Sequence, residues 1–289
     1  MQLLTPAHWQ EYELIDSGEF QKLERFGKYY IIRPEPQAVW DKQLPEKEWE
    51  KWVHVSFIQS GSNSGTWKKH KEMPDRWYIH YTLPNQSKIQ FKLALTAFKH
   101  VGVFPEQAVN WDFIFQSIKK SGIQTPRFLN LFAYTGGASL AAKAAGADVV
   151  HVDSIKQVVS WAKENMDRSN LANIRWVVED ALKFVKREVS RGNHYHGIIL
   201  DPPAFGHGPN GEKWKLEDNI NEMMKYVVDL LDSKQHFLIL NAYSLGFSSL
   251  IIENLLSKNK KNLTIGELFL ESKTQQKLPL GVFGRILKQ

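Results

Sequence analysis

At 289 residues and 43% hydrophobic content, the chain can build one large or two smaller domains with real cores, and its composition excludes disorder. The absence of cysteine excludes disulfides, thiolate metal ligands and a cysteine nucleophile. A formal charge of +6 suits a polyanionic partner, and no run approaches the ~20 apolar residues of a membrane helix, so a soluble, cytoplasmic protein is expected.

Residues 1–98 read as a small β-rich domain. Tyr29 to Ile32, Val53 to Phe57, Trp77 to Tyr81 and Lys88 to Leu95 have the texture of short strands, punctuated by Pro34, Pro36, Pro45, Pro74 and Pro84. Tryptophan is concentrated here, at Trp9, Trp40, Trp49, Trp52, Trp67 and Trp77. Packing accounts for it better than stacking on unpaired bases, because a small domain has few other large apolar groups. Gly61 to Gly65 predicts a flexible turn into a basic, solvent-facing loop, in which Lys68, Lys69 and Lys71 are candidate contacts to nucleic acid. A second basic run, Lys258 to Lys261, solvates a helix end.

From Lys99 onward, apolar strands alternate with amphipathic helices, the pattern of an α/β domain over residues 99–289 with a largely parallel sheet. Glu106 to Ser121 predicts a helix with Trp111, Phe115 and Ile118 on one face. Between Arg127 and Gly146 the hydrophobic period changes: Phe128 to Ala133 is a buried-type strand, Tyr134-Thr135-Gly136-Gly137 a turn, and Ala138 to Ala145 a run of helix formers. Asp148 to Asp153 is a second strand, Ile155 to Asp167 a helix, Ile174 to Val178 a third strand, and Asp180 caps a helix running to about Ser190.

The fourth strand, Gly197 to Asp201, stops at Pro202 and Pro203, which end both strand and helix. Phe205 to Gly211 is loop by composition, and helix Leu216 to Leu231 follows. Phe237 to Asn241 is the fifth strand and Ser248 to Lys258 a helix. Leu263 to Glu271 and Leu280 to Leu287 close the chain as an antiparallel pair joined through Lys277-Leu278-Pro279.

Four positions therefore share the carboxyl edge of the sheet, where ligands of open α/β folds bind: the turn after Ala133, Asp153, Asp180 and Asp201. A glycine turn opening a helix lets backbone approach a ligand and presents free N–H groups. Asp153, about 20 residues on, suits the hydroxyls of a ribose, and Asp180 with Ala181 suits the edge of an adenine while also capping its helix. The turn lacks G-x-G-x-x-G, which argues against a dinucleotide. His194 and His196 lack the spacing of a metal pair, and no metal is expected.

Taken together, Asn130 to Gly137, Val152-Asp153-Ser154, Glu179-Asp180-Ala181 and Asp201-Pro202-Pro203-Ala204-Phe205 resemble the class I S-adenosylmethionine-dependent methyltransferases, and more closely the bacterial 23S rRNA methyltransferases I and K and their relatives. His100 to Gln107 is similar to the family's segment preceding the sheet, and Leu278 to Gly281 to its closing strands; Glu106 and Ala108 depart from the family's usual Asp and Arg. The resemblance implies a Rossmann-like sheet of order 3-2-1-4-5-7-6 with the last strand antiparallel, beside the smaller β-rich part. It implies S-adenosylmethionine as cofactor, with Asn130, Ala133, Tyr134, Thr135 and Gly136 at its methionine end, Asp153 and Ser154 at the ribose, Asp180 and Ala181 at the adenine, and Phe104 and Gln107 closing over it. The implied partner is RNA, ribosomal by the resemblance.

Methyl transfer needs in-line placement of an acceptor lone pair. Asp201 and the Pro202 carbonyl suit an acceptor amine, Pro203 stiffens the turn, and Phe205 suits a flat base. His207, Lys213, Trp214 and Lys215 in the following loop are candidates to clamp the substrate as the loop closes. Methylation at C5 of a pyrimidine needs a nucleophile, usually a cysteine, and Asn241-Ala242-Tyr243-Ser244, where C5-methylating relatives carry one, offers none; transfer to a base nitrogen is expected. Two other readings stay open: the same cofactor with a protein amide or small molecule as acceptor, and an RNA-binding protein that holds the cofactor without transfer.

Overall fold

The computed structural model describes residues 1–61, 64–243, 246–257 and 262–288. Ser62 and Asn63 of the expected flexible turn, Ser244, and the basic run at 258–261 with the end of the helix expected to reach it lie outside the described residues.

A short strand, β1 (Gln2–Leu4), precedes a five-stranded sheet of β2 (Tyr12–Gly18), β3 (Gln21–Phe26), β4 (Tyr29–Pro34), β5 (Val55–Gln59) and β6 (Gly65–Lys69), with α1 (Glu46–Trp52) between β4 and β5. A hairpin of β7 (Arg76–Thr82) and β8 (Lys88–Ala94) follows. A 3-10 turn at Pro105–Gln107 leads into α2 (Ala108–Lys120), β9 (Arg127–Leu131), α3 (Gly137–Ala144), β10 (Asp148–Asp153), α4 (Lys156–Arg168), β11 (Ile174–Val178), α5 (Ala181–Ser190) and β12 (Gly197–Leu200). The remainder comprises a second hairpin, β13 (Phe205–His207) and β14 (Lys213–Lys215), then α6 (Leu216–Asp229), β15 (His236–Ala242), α7 (Ser249–Leu255), β16 (Leu263–Glu271) and β17 (Lys277–Lys288).

The large sheet runs β11-β10-β9-β12-β15-β17-β16-β1. Its first seven strands reproduce the order 3-2-1-4-5-7-6, with β17 antiparallel to both β15 and β16. Strands β9, β10, β12 and β15 are almost wholly buried, as expected of parallel strands covered on both faces, so their sequences read as unbroken apolar runs. In this sheet the element beyond the expected seven is β1, which adds to the far edge, parallel to β16, with Gln2 opposite Gly266 and Leu4 opposite Leu268.

The core does not break at residue 98. Trp9, Tyr81, Phe91 and Trp111 form one aromatic cluster, with Phe91 stacked on Trp111 at 5.0 Å and Trp9 edge-on to Trp111 at 5.6 Å. Strand β8 is tied to α4 through the Gln90 N–H to Ser169 Oγ (2.9 Å), the Lys92 N–H to Asn165 Oδ1 (2.8 Å) and the Trp161 indole N–H to the Lys92 carbonyl (3.0 Å). Hairpin β7–β8 thus packs as part of the parallel-sheet body. The tryptophans pack rather than line a surface. Trp49 is fully buried and donates to Asp16 Oδ2 at 2.9 Å, Trp40 donates to the Ser17 carbonyl at 2.9 Å, and Trp67 to the Thr96 carbonyl at 2.6 Å.

Three connections differ from the sequence-based expectation. Gly65–Lys69 is an edge strand paired with β5, not a loop, because Trp67 packs edge-on against Phe57 at 5.0 Å. Phe205 to Lys215 is a hairpin rather than a loop. The joint between β16 and β17 lies at the turn closed by the Ser272 N–H to the Gln276 carbonyl (2.9 Å), which places Lys277-Leu278-Pro279 inside β17.

Candidate active site

Beyond Leu131 the chain leaves the sheet through a sharply bent turn. Phe132 and Tyr134 have φ of 54° and 48° and Gly136 has φ of 93°, so three residues in five occupy the left-handed region that costs a non-glycine residue energy. The turn is over-determined by its neighbours. Asp153 Oδ2 accepts the Tyr134 N–H at 2.9 Å, Thr135 Oγ1 donates to the Gly102 carbonyl at 2.6 Å, and Asn165 Nδ2 donates to the Thr135 carbonyl at 3.0 Å. Gly137 opens α3 with its backbone against Trp111: a Cβ there would lie 2.5 Å from the indole Cζ2.

This turn forms one wall of an open cleft of about 430 Å³. Phe104, Gln107, Asn130, Ala133, Tyr134, Thr135, Gly136 and Asp201 all line it, so most of the expected cofactor residues converge there, together with Asp201. The Phe104 and Tyr134 rings are 5.1 Å apart, and Asn130 turns its amide nitrogen back to Ser139 Oγ at 2.9 Å. Ser139 in turn meets Nδ1 of His151, a histidine held neutral because burial lowers its pKa to about 3. Asp153, Ser154, Asp180 and Ala181 lie along the same sheet edge, outside the enclosed part of the cleft. Asp153 Oδ1 also accepts the Ile155 N–H (3.0 Å), and Asp180 caps α5 by accepting the Lys183 N–H (2.8 Å). Beside these two acids, Ile155 is 53% exposed and Val178 41% exposed, an open apolar pair in a sheet edge otherwise lined with polar groups.

On the opposite wall, Asp201 is half-buried, and withdrawal from water raises its pKa to about 7. Its Oδ2 accepts from Gln107 Nε2 at 3.0 Å, and among the described residues Oδ1 has no protein donor. Glu106, buried beside it, is likewise raised to about 7, by burial first and then by the charges of Asp201 and Glu24, against the lowering influence of Lys22. The N-terminal sheet reaches this wall. Tyr243, just past β15, donates to Glu35 at 2.6 Å, and Glu35 pairs with Lys22 at 3.0 Å.

Trp214 requires a correction. It is buried under hairpin β13–β14, its ring 4.8 Å from Phe132 and its indole N–H donating to the Pro203 carbonyl at 2.7 Å. It anchors the Asp-Pro-Pro turn instead of facing a substrate. Phe205, by contrast, is 69% exposed, with His207, Lys213 and Lys215 on the same exposed hairpin. Lys68, Lys69 and Lys71 are exposed on and beyond β6; Lys69 pairs with Asp75 at 2.7 Å and Lys71 donates to the Lys51 carbonyl. Sequence reasoning missed Phe91, Val103, Trp111, Phe132 and Ile199 as cleft residues, together with Asn110, Asn241 and Arg285 behind Gln107. A signal for the last three existed: each is a polar residue inside an apolar stretch.

The S-adenosylmethionine-dependent methyltransferase of Agrobacterium tumefaciens, a crystal structure, is 35% identical and superimposes with a TM-score of 0.91 over 100% of this chain and 94% of its own. The chain belongs to the S-adenosylmethionine-dependent methyltransferases. The family model described as conserved hypothetical protein 95 matches residues 92–226 of this methyltransferase. Ribosomal RNA large subunit methyltransferase K/L of Shewanella frigidimarina is 30% identical over 156 residues, 53% of this chain and 21% of its own length. The counterpart in Pseudoalteromonas translucida is 35% identical over 119 residues, 40% of this chain and 16% of its own. The methyltransferase therefore spans about a fifth of the length of these curated relatives.

The residues fit the cofactor. The open cleft lined by the turn from Phe132 to Ala138, two carboxylates one strand apart along the sheet edge, and the exposed Ile155 and Val178 beside them supply room for a ligand against the backbone, acceptors for hydroxyls and apolar faces for a flat ring. When bound, S-adenosylmethionine supplies an electrophilic methyl group.

Proposed function

We propose that this methyltransferase acts on a nitrogen of an RNA base, with ribosomal RNA in the cytoplasm as the substrate class. The observation that carries this reading is the open oxygen of Asp201: the residue lines the cleft, and among the described residues its Oδ1 has no donor, next to a turn whose second carbonyl is already taken by Trp214. Asp201 Oδ1 and the Pro202 carbonyl are then the acceptors that orient an incoming amine, while Phe205, exposed on its anchored hairpin, stacks on the base. Transfer forms one N–C bond as the methyl leaves sulfur, and an amine acceptor gives up its proton to Asp201 or to water. Asn130, Ala133, Tyr134, Thr135 and Gly136 hold the methionine end, Asp153 and Ser154 the ribose, Asp180 and Ala181 the adenine, and Phe104 closes the cleft.

Base nitrogen is favoured over C5 because no cysteine is available and the residues ending β15 are Asn241 and Ala242. The names of the K/L relatives support an rRNA substrate. The exposed lysines at 68, 69, 71 and 213 provide phosphate contacts. The five-stranded sheet of residues 12–69 acts as the substrate-side part of the protein, with the parallel-sheet body, including β1 and hairpin β7–β8, as the transfer unit.

Nucleoside mass spectrometry of rRNA from cells with and without the gene tests the assignment. Loss of one N-methylated base is expected. Identical profiles, or 5-methylcytosine made by the purified protein, would overturn it.

A further inference from the structure

Arg285 lies in the second half of β17, among largely apolar residues, and it is half-buried. Among the described residues no carboxylate pairs with it. Burial lowers its pKa to about 10, which still leaves it a cation at neutral pH. An unpaired buried guanidinium is destabilising unless its donors are used. Its donors converge on amides. Nε and Nη2 both reach Asn110 Oδ1, at 3.2 and 2.6 Å, and Nη2 also reaches the Val109 carbonyl at 3.2 Å; the guanidinium stacks over the Phe113 ring at 4.5 Å.

A guanidinium has donors and no acceptor, so the oxygen of Asn110 must face it. The nitrogen of Asn110 then faces the other way and donates to Gln107 Oε1 at 2.7 Å and Asn241 Oδ1 at 3.2 Å. Asn241 Nδ2 donates to the same Gln107 oxygen at 3.1 Å. With its oxygen doubly occupied, Gln107 has only its nitrogen to offer Asp201, and it does so at 3.0 Å to Oδ2. Every amide flip in the series follows from the cation at its far end. The donors all point one way, from Arg285 to Asp201.

We propose that Arg285 is a positioning residue for Asp201, acting through Asn110 and Gln107 to hold Oδ2 and leave Oδ1 to the acceptor. The proposal rests on the reading of Asp201 as the acceptor-facing group. Each member polarises the next, so the series also favours the carboxylate form of Asp201 over the acid. If Arg285 is replaced by an apolar side chain, Asn110 is free to turn over, Gln107 loses its fixed orientation, and the donor at Oδ2 is no longer enforced.

The test uses full-length protein and two readouts. The first is the titration of the Asp201 carboxyl by carbon-13 NMR of aspartate-labelled protein, assigned with D201N and requiring no substrate. The second is methyl transfer to RNA from cells lacking the gene. In R285M the Asp201 midpoint is expected to rise by about one pH unit. Accompanying it, kcat falls about tenfold with KM for RNA changed by less than about twofold, the signature of a lost orienting contact. R285K, a donor-only cation, restores most of both. Q107M, which cuts the last link, reproduces the midpoint shift, and adding R285M to Q107M adds nothing further. R285Q, neutral but still able to pack, replaces R285M if the latter does not fold.

An unmoved Asp201 midpoint in R285M or R285Q overturns the proposal, as do shifts from Arg285 and Gln107 that simply add. If the midpoint moves as expected while the wild type methylates no RNA, the relay stands and the RNA reading fails. If the wild type methylates RNA and the midpoint stays put, the relay alone fails.

Discussion

Replacement of Glu106 by Gln probes how the active-site wall loads the fold. Glu106 is 7% exposed, in the turn before α2, and its pKa rises from an ordinary 4.5 to about 7 through burial and the neighbouring charges of Asp201 and Glu24. A carboxyl whose folded pKa lies above its unfolded value stabilises the fold in full below pH 4.5, and that contribution is lost as pH rises through about 7. Above pH 7 the folded protein carries an ionised, desolvated carboxylate, and the linkage amounts to roughly 3 kcal/mol at most. Gln removes the ionisation with little change in volume. E106Q is therefore expected to exceed the parent by no more than about 1 kcal/mol at pH 5 and by roughly 2 to 3 kcal/mol at pH 9, as urea unfolding at pH 5, 7 and 9 would show. A difference between E106Q and parent that is constant across that range would refute the reasoning, because it would assign the effect to packing rather than to charge.

Under the proposed assignment of Asp201 to the acceptor, D201A is expected to abolish transfer while S-adenosylmethionine affinity, measured by calorimetry, stays within about threefold. D153A removes an acceptor at the sheet edge and the partner of the Tyr134 N–H, and should weaken S-adenosylmethionine binding by about tenfold to a hundredfold in the same assay. G137A forces a methyl group to within 2.5 Å of Trp111 Cζ2 and should destabilise the protein by roughly 1 to 3 kcal/mol in thermal melts. W214F frees the Pro203 carbonyl, and is expected to cost roughly 1 kcal/mol of stability and to lower kcat more than cofactor affinity.

The strand ends of the parallel sheet were legible because buried strands are continuous apolar runs, and Asp153 and Asp180 interrupt them at the point where the chain re-enters solvent. The sheet of residues 12–26 was not, because its strands carry charges inside. Asp16 and Glu24 are fully buried, and what makes this tolerable is remote in sequence: Leu44 and Trp49 donate to Asp16, and Arg33 and Tyr12 to Glu24. β6 was read as loop because an edge strand with exposed lysines has no alternation to find. At the site, single positions with a fixed relation to a strand end were recoverable. The packing of Trp111 on Gly137, the turning of Trp214 under Pro203 and the series from Arg285 to Asp201 depend on pairs far apart in the chain.

The strand at residues 2–4 has a consequence for how the molecule is made. It pairs with residues 266–268, so this strand has no partner until that distant later segment has been made. Every other strand of the large sheet can assemble before it, and β1 closes the outer edge last, covering backbone groups of β16 that would otherwise face solvent. The contact adds loop-closure cost and slows completion without slowing the rest of the sheet. It also makes residues 2–4 a short cap on the middle of that β edge: until they dock, residues 266–268 are open to pairing with another chain, and once docked they are not.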